Sequence, residues 1–294
     1  MNPVVFSTAG SEALALRIGE CLRAQVVLSR WGAAQPFTGH EVTRADIRDR
    51  DVIVIRGASL DEESLPIILN RLADSIRGES PKSVGLVIPC SECPNTKRHI
   101  VHACVDWTVT LGPLRDARVE GESPTPRRLF VSPLSSIIGW LKANVDSPLL
   151  VSLDRPLRRD GEEVTIPHEI PHLSIYDVYN VLSYGSTDQG CGTQSISQMT
   201  PVVLGMTAHD VREVTAMVGD LRHAGMRRPM CVLVHAVGME SRHRELQQVG
   251  CQAIITTNSV PHASNRVDIA PAISDAVRQV LNKRPTLQLR SLHR

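Results

Sequence analysis

Short unbroken apolar runs alternate along this chain with stretches whose apolar residues recur every three or four positions. Runs of that kind are the mark of parallel strands buried on both faces, and the intervening period is that of helices. The clearest example lies between residues 200 and 257. It predicts a strand over 201–206, a loop over 207–210 and a helix from about 211 to 223. A strand over 231–235, a helix over 239–249 and a strand over 253–257 follow. Earlier strands are expected over 4–6, 25–28, 51–55, 83–88 and 149–152. Ser11 stands where it can cap a helix running through Leu14, Ile18 and Leu22. Residues 59–62 form a capping box ahead of a helix that reaches Ile76. Ser132 and Pro133 open another to about residue 143, and a final helix spans 271–281 before a basic tail. The pattern weakens from 90 to 129, with a strand at 107–111, and residues 173–181 read as strand-like.

The expected class is therefore α/β. It comprises two tandem domains, residues 1–145 and 146–294, each a mainly parallel sheet flanked by helices. Ligands on such sheets sit at the carboxyl ends of strands, so the turn after Met206 is the first place to look. Thr207 and Asp210 lie in that turn, and either can cap the helix that follows. A phosphate cradle needs bare backbone N–H groups, usually presented by glycines. Past Gly205 the turn has none.

Composition narrows the function classes. Hydrophobic residues make up 42% of the 294, which fits a globular chain with a substantial core, while aromatics are only 3%. Aliphatic side chains must fill the interior. A net charge of +1 gives no case for nucleic acid or a membrane surface, and no apolar run reaches membrane-spanning length. Seven scattered cysteines and no signal-peptide pattern lead to an expectation of reduced thiols and a cytoplasmic protein.

Several local strings, taken in order, resemble the ribose-phosphate pyrophosphokinases (phosphoribosyl pyrophosphate synthetases). Residues 6–10 are similar to that family's opening strand and turn. Residues 37–41 (Phe-Thr-Gly-His-Glu) resemble its Phe-Ser-Asp-Gly-Glu hairpin, with the 51–55 strand after it. Residues 82–89, ending Ile-Pro, stand where the family runs into Ile-Pro-Tyr, and 131–133 and 148–154 look like its Ser-Pro helix start and Val-Ser-Pro-Asp strand. Near the end, Val234, His235 and residues 256–261 match in order and spacing. The resemblance implies tandem phosphoribosyltransferase-type domains and an oligomer in which a neighbour's hairpin helps to bind ATP. It also implies magnesium-dependent transfer of a diphosphoryl group from ATP to ribose 5-phosphate.

The strings that carry the family's chemistry are altered here. Its acidic pair for the ribose hydroxyls and metal is replaced by Gly205 and Met206, and its Thr-Gly-Gly-Thr cradle by residues 210–213, which bring Asp210 and Glu213. After Ile-Pro, the family's aromatic and Ala-Arg-Gln-Asp-Arg run becomes residues 90–98, with Arg98 alone keeping a family-like charge. The diphosphate loop keeps Asp154 but loses its glycines to Arg155, Pro156 and Leu157, with Arg158 and Arg159 following. The flexible loop's Lys and Arg have no counterpart over 163–174. Phe37, Glu41 and Arg98 remain as residual nucleotide contacts, and Asp154, Arg155, Arg158, Arg159, Thr207 and Asp210 as residual phosphate contacts. Loss at the chemistry with architecture kept is what a non-catalytic homologue should show.

One further cluster stands apart. Cys90, Cys93, His99, His102 and Cys104 offer the donors of a tetrahedral Zn²⁺ site, with knuckle spacing in the first pair only. Unpaired thiols in a loop are the preferred reading. The expectation is a pyrophosphokinase-like protein without catalytic residues or cofactor, acting as a regulatory, scaffolding or oligomer-forming subunit. It would assemble with itself, an active relative or a pathway enzyme. The alternative is a divergent enzyme that uses Mg²⁺ and ATP and handles a sugar phosphate or nucleotide through its arginines.

Overall fold

A computed structural model describes residues 2–28, 46–57, 75–90, 105–112, 127–152, 170–184, 196–207 and 211–282. The first sheet contains β1 (Val4–Ser7), β2 (Gln25–Val27), β3 (Asp51–Ile55), β4 (Ser83–Ile88), β5 (Trp107–Leu111) and β6 (Arg127–Val131). The second contains β7 (Pro148–Ser152), β8 (His172–Ser174), β9 (Thr200–Gly205), β10 (Met230–Leu233), β11 (Ala253–Thr257) and β12 (Asn265–Val267). Every pairing is parallel. The strand orders are β2-β1-β3-β4-β5-β6 and β12-β11-β10-β9-β7-β8. Counted within its own half, the second order is the first one reversed. The two halves are therefore one topology used twice, with β3 and β9 in equivalent places. In each, the chain turns back between its first and third strands, β1 and β3 or β7 and β9, which is a topological switch point.

The helices described are α1 (Glu12–Leu22), α2 (Leu134–Asn144), α3 (Ile175–Tyr184), α4 (Val211–His223), α5 (Met239–Gln248) and α6 (Ala270–Asn282). None among the described residues is long and apolar enough to cross a membrane. Side chains alternate across a strand, so each sheet buries two faces. The inner faces meet in one central core that takes Val5, Ile53 and Val109 from one sheet and Leu150, Val202 and Val232 from the other. Between them lie Leu14 and Ile18 of α1, Ile137 of α2, and Ile273 and Val277 of α6. The outer face of the first sheet packs Val4, Phe6, Val52, Val54 and Leu86 against Ile47 and Ile76. The outer face of the second packs Leu149, Val203 and Leu233 against Val178 of α3, Val214 and Val218 of α4 and Leu246 of α5.

α6 closes the chain against α1, β5 and β6 of the first sheet, and α2 packs on β12 of the second. Each half thus lends the other a helix. Asp268 fixes the start of α6. Its Oδ1 accepts from the Ala270 N–H (3.0 Å) and from Asn258 Nδ2 (2.8 Å), and its Oδ2 accepts from Arg17 of α1 (2.8 Å). Burial alone would raise the Asp268 carboxyl, but the Ala270 N–H, Arg17 and Asn258 outweigh it and hold it below the ordinary value.

Two expectations are corrected. Residues 173–181 are the last of a short strand and then α3, because β8 ends at Ser174 and Asp177 turns the chain. Asp177 Oδ2 takes both the N–H (3.0 Å) and the hydroxyl (2.6 Å) of Ser174, a local bond that starts a helix. Ser11 does not cap α1 with its side chain. Its hydroxyl lies 2.9 Å from both the Thr8 and Ile55 carbonyls, so it ties the first turn to β3 instead. The strands β6 and β12 lack a distinctive run. Both are edge strands, with Arg127, Arg128 and Arg266 among their residues.

Candidate functional site at the carboxyl end of the second sheet

β9 ends at Gly205, and Met206 and Thr207 follow it at the switch point. The Gly205 carbonyl accepts from Val234 N (3.0 Å) and the Met206 carbonyl from His235 N (2.8 Å). Those two bonds extend the parallel ladder past the end of β10 and pull the next residues inward. Thr207 is buried, and its side chain or backbone has a partner within the protein.

His235 is fully buried. Its Nδ1 lies 2.8 Å from Ser259 Oγ, which in turn lies 3.0 Å from the Val234 carbonyl. Thr257 Oγ1 donates to the same carbonyl (2.7 Å) and accepts from the Ser259 N–H (3.2 Å). The Ser259 hydroxyl has one proton for two acceptors in reach, the Val234 carbonyl and the imidazole, so the direction of the Nδ1–Oγ bond follows the tautomer of the ring. Nε2 has no partner among the described residues. Burial, with no charged neighbour contributing, lowers the His235 pKa to about 4. The ring is neutral and buried.

The β11–β12 turn beside it is braced in the same way. Thr256 Oγ1 bonds Ser264 Oγ (2.8 Å) and Asn265 Oδ1 (2.6 Å), and Asn265 Nδ2 donates to the Val260 carbonyl (2.9 Å). These groups hold a turn in place and leave few hydrogen bonds to offer a ligand.

Magnesium takes oxygen ligands, normally with carboxylates among them. At the end of β9, Gly205 and Met206 offer only carbonyls that already accept N–H bonds, so these residues do not fit that ion. Glu213, exposed in the first turn of α4, places a negative charge at the helix end that would otherwise welcome an anion. Of the sequence-derived site residues, Thr207 and Cys90 are described. Cys90 is buried just past the end of β4. Phe37, Glu41, Arg98, Asp154, Arg155, Arg158, Arg159, Asp210, Cys93, His99, His102 and Cys104 lie outside the described residues. Among the described residues no group of three His, Cys, Asp or Glu is placed to hold a metal.

Two polar residues that the sequence does not single out stand at these strand ends. Arg56 follows the apolar β3 and is buried. Ser259 follows β11 and bonds the imidazole of His235. Neither has a spacing signal, because burial and contact come from other strands.

No protein-family model matches this chain. No curated protein matches it either. Among solved structures, phosphoribosylpyrophosphate synthetase from Mycobacterium smegmatis superposes with a TM-score of 0.64 at 14% identity, covering 96% of this chain and 99% of that one. A probable maltose operon transcriptional repressor from Staphylococcus gives a TM-score of 0.31 at 8% identity, covering 96% and 92%. VinN gives 0.25 at 14%, covering 87% and 60%. Only the first score denotes a shared fold. The chain has the two-domain α/β fold of phosphoribosylpyrophosphate synthetase.

Proposed function

We propose that this chain carries that synthetase fold without its diphosphoryl transfer, and serves as a regulatory, scaffolding or oligomer-forming subunit. The observation that carries the reading is the end of β9, where Gly205 and Met206 stand at the position of the acidic pair. Charge stabilisation by metal and fixed dipoles is nearly all that such an enzyme supplies to phosphoryl transfer. An end of β9 at which the described residues Gly205, Met206 and Thr207 bring no carboxylate, with Glu213 in the first turn of the next helix, works against binding of metal and of a phosphate dianion. Like charges a few ångströms apart cost on the order of 4 kcal/mol near a protein surface. Among the described residues both six-stranded sheets are present, and α2 and α6 each pack on the other half.

A silent chain with an intact fold has its surface left to work with. The hairpin string from Phe37 to Glu41 is the one that family members offer to a neighbouring subunit. Light scattering over a concentration series, alone and mixed with an active synthetase, tests the role. The expected result is a dimer or larger species in one of the two conditions, weakened by Phe37→Ala. A strict monomer in both, unchanged by that substitution, rules the subunit role out.

A further inference from the structure

Arg56 is the first residue past β3, at the carboxyl edge of the first sheet. It is 3% exposed, and none of its guanidinium nitrogens, Nε, Nη1 or Nη2, has a hydrogen-bond partner among the described residues. A guanidinium keeps its charge at any pH at which proteins stay folded and carries five donors. Burying such a group without an anion is among the most costly arrangements a fold can hold. The chain around it is tightly set. Arg56 N donates to the Val87 carbonyl of β4 (3.0 Å), and Gly57 N donates to Thr8 Oγ1 (2.7 Å). A Cβ at Gly57 would stand 1.8 Å from the Ala9 carbonyl oxygen, so the backbones of the two turns touch.

The place is as informative as the charge. Strand order puts the switch point of the first sheet between β1 and β3, and Arg56 stands at its carboxyl edge. Ligands of open parallel sheets bind in that crevice. Alternation along β3 puts Ile55 on the inner core, and directs Arg56 to the face of Val52 and Val54. Because the halves share one topology, Arg56 occupies in the first half the position that Met206 occupies in the second, one residue beyond β3 and β9 respectively. The second half has an apolar thioether there, and the first has a buried cation with no anion beside it among the described residues.

We infer that Arg56 anchors an anion-binding site at the switch point of the first sheet, for a ligand that presents a phosphate or carboxylate group. The guanidinium supplies paired N–H donors in the fork geometry that both oxyanions match. The site is separate from the end of β9, and its test involves neither ATP, ribose 5-phosphate nor turnover. The proposed loss of catalysis can therefore fail without touching it.

The experiment uses the full chain in chloride buffer at fixed ionic strength, titrated with inorganic phosphate or with malonate. Melting temperature and calorimetry are read for the wild type, Arg56→Met and Arg56→Lys. At least one probe should raise the wild-type melting temperature where equal chloride does not. Arg56→Met should weaken that probe at least about tenfold, and Arg56→Lys less, since a point charge replaces the fork. In chloride alone Arg56→Met should melt above the wild type, because it removes an uncompensated buried charge. Response to phosphate only assigns a phosphorylated ligand, and response to malonate only a carboxylate. The inference is overturned if neither probe stabilises the wild type, or if the effect survives in Arg56→Met. It is equally overturned if Arg56→Met melts lower in chloride or fails to fold, since the charge is then compensated within the protein.

Discussion

His235 and Ser259 meet at 2.8 Å through Nδ1 and Oγ, while burial keeps the imidazole neutral and its Nε2 has no partner among the described residues. It joins the end of β10 to the turn after β11, so the edge of the second sheet depends on a side chain that must not take a proton.

That requirement sets a pH dependence. The His235 pKa falls from 6.5 to about 4 on folding, so between those values the unfolded chain binds a proton that the native chain refuses. Stability therefore rises with pH through this window and is lost as pH falls through it, by on the order of 3 kcal/mol. His172, lowered by burial against a smaller opposing effect of Asp177, acts in the same direction. Urea denaturation at pH 6.5, 5.5 and 4.5 measures the slope, and His235→Gln should flatten it. An equal slope in that variant would remove His235 from the account.

The anchor of α6 rests on Asp268 more than on its ion pair. Asp268→Ala removes an acceptor for the first turn of the helix and for Asn258, and should cost about 2 kcal/mol. Arg17→Ala removes only a half-exposed partner and should cost under about 1 kcal/mol. Thermal denaturation of both variants decides the ranking. Equal losses would show that the ion pair carries the junction between α1 and α6. The Asp268 contribution is present above its unfolded value of 3.8 and fades as pH falls below that, so it does not blur the histidine window.

Gly85 of β4 is fixed by the ring of Trp107 on β5. A Cβ there would lie 2.1 Å from the indole, which is buried and bonded through Nε1 to Ser83 Oγ (3.4 Å). Gly85→Ala should destabilise by about 1–3 kcal/mol through overpacking, and red-shifted or broadened tryptophan emission should accompany it as the buried ring is displaced. Unchanged stability would mean that the ring moves aside freely.

The strands that face both cores were legible in the sequence, and for one reason. A parallel strand buried on two faces has to be apolar at every position, as in the 51–55, 83–88 and 253–257 runs. Edge strands such as β6 and β12 escape that demand, and so escaped notice. The double use of one strand order lies in connectivity and leaves no shared motif. At the site, Gly205 and Met206 stand in a single continuous string, so their difference from the resembled family's acidic pair is visible in the sequence alone. The burial of Arg56 and the pairing of His235 with Ser259 could not be read there, since both are set by strands far away in sequence.

The central claim is that the switch point after β9 no longer supports diphosphoryl transfer. Its most direct test is AMP release from ATP–Mg²⁺ in the presence of ribose 5-phosphate, followed over hours with purified chain. The account predicts a rate below about a thousandth of the roughly 1–100 s⁻¹ common for kinases. A rate above that limit, dependent on ribose 5-phosphate and abolished by Arg98→Ala, would contradict it.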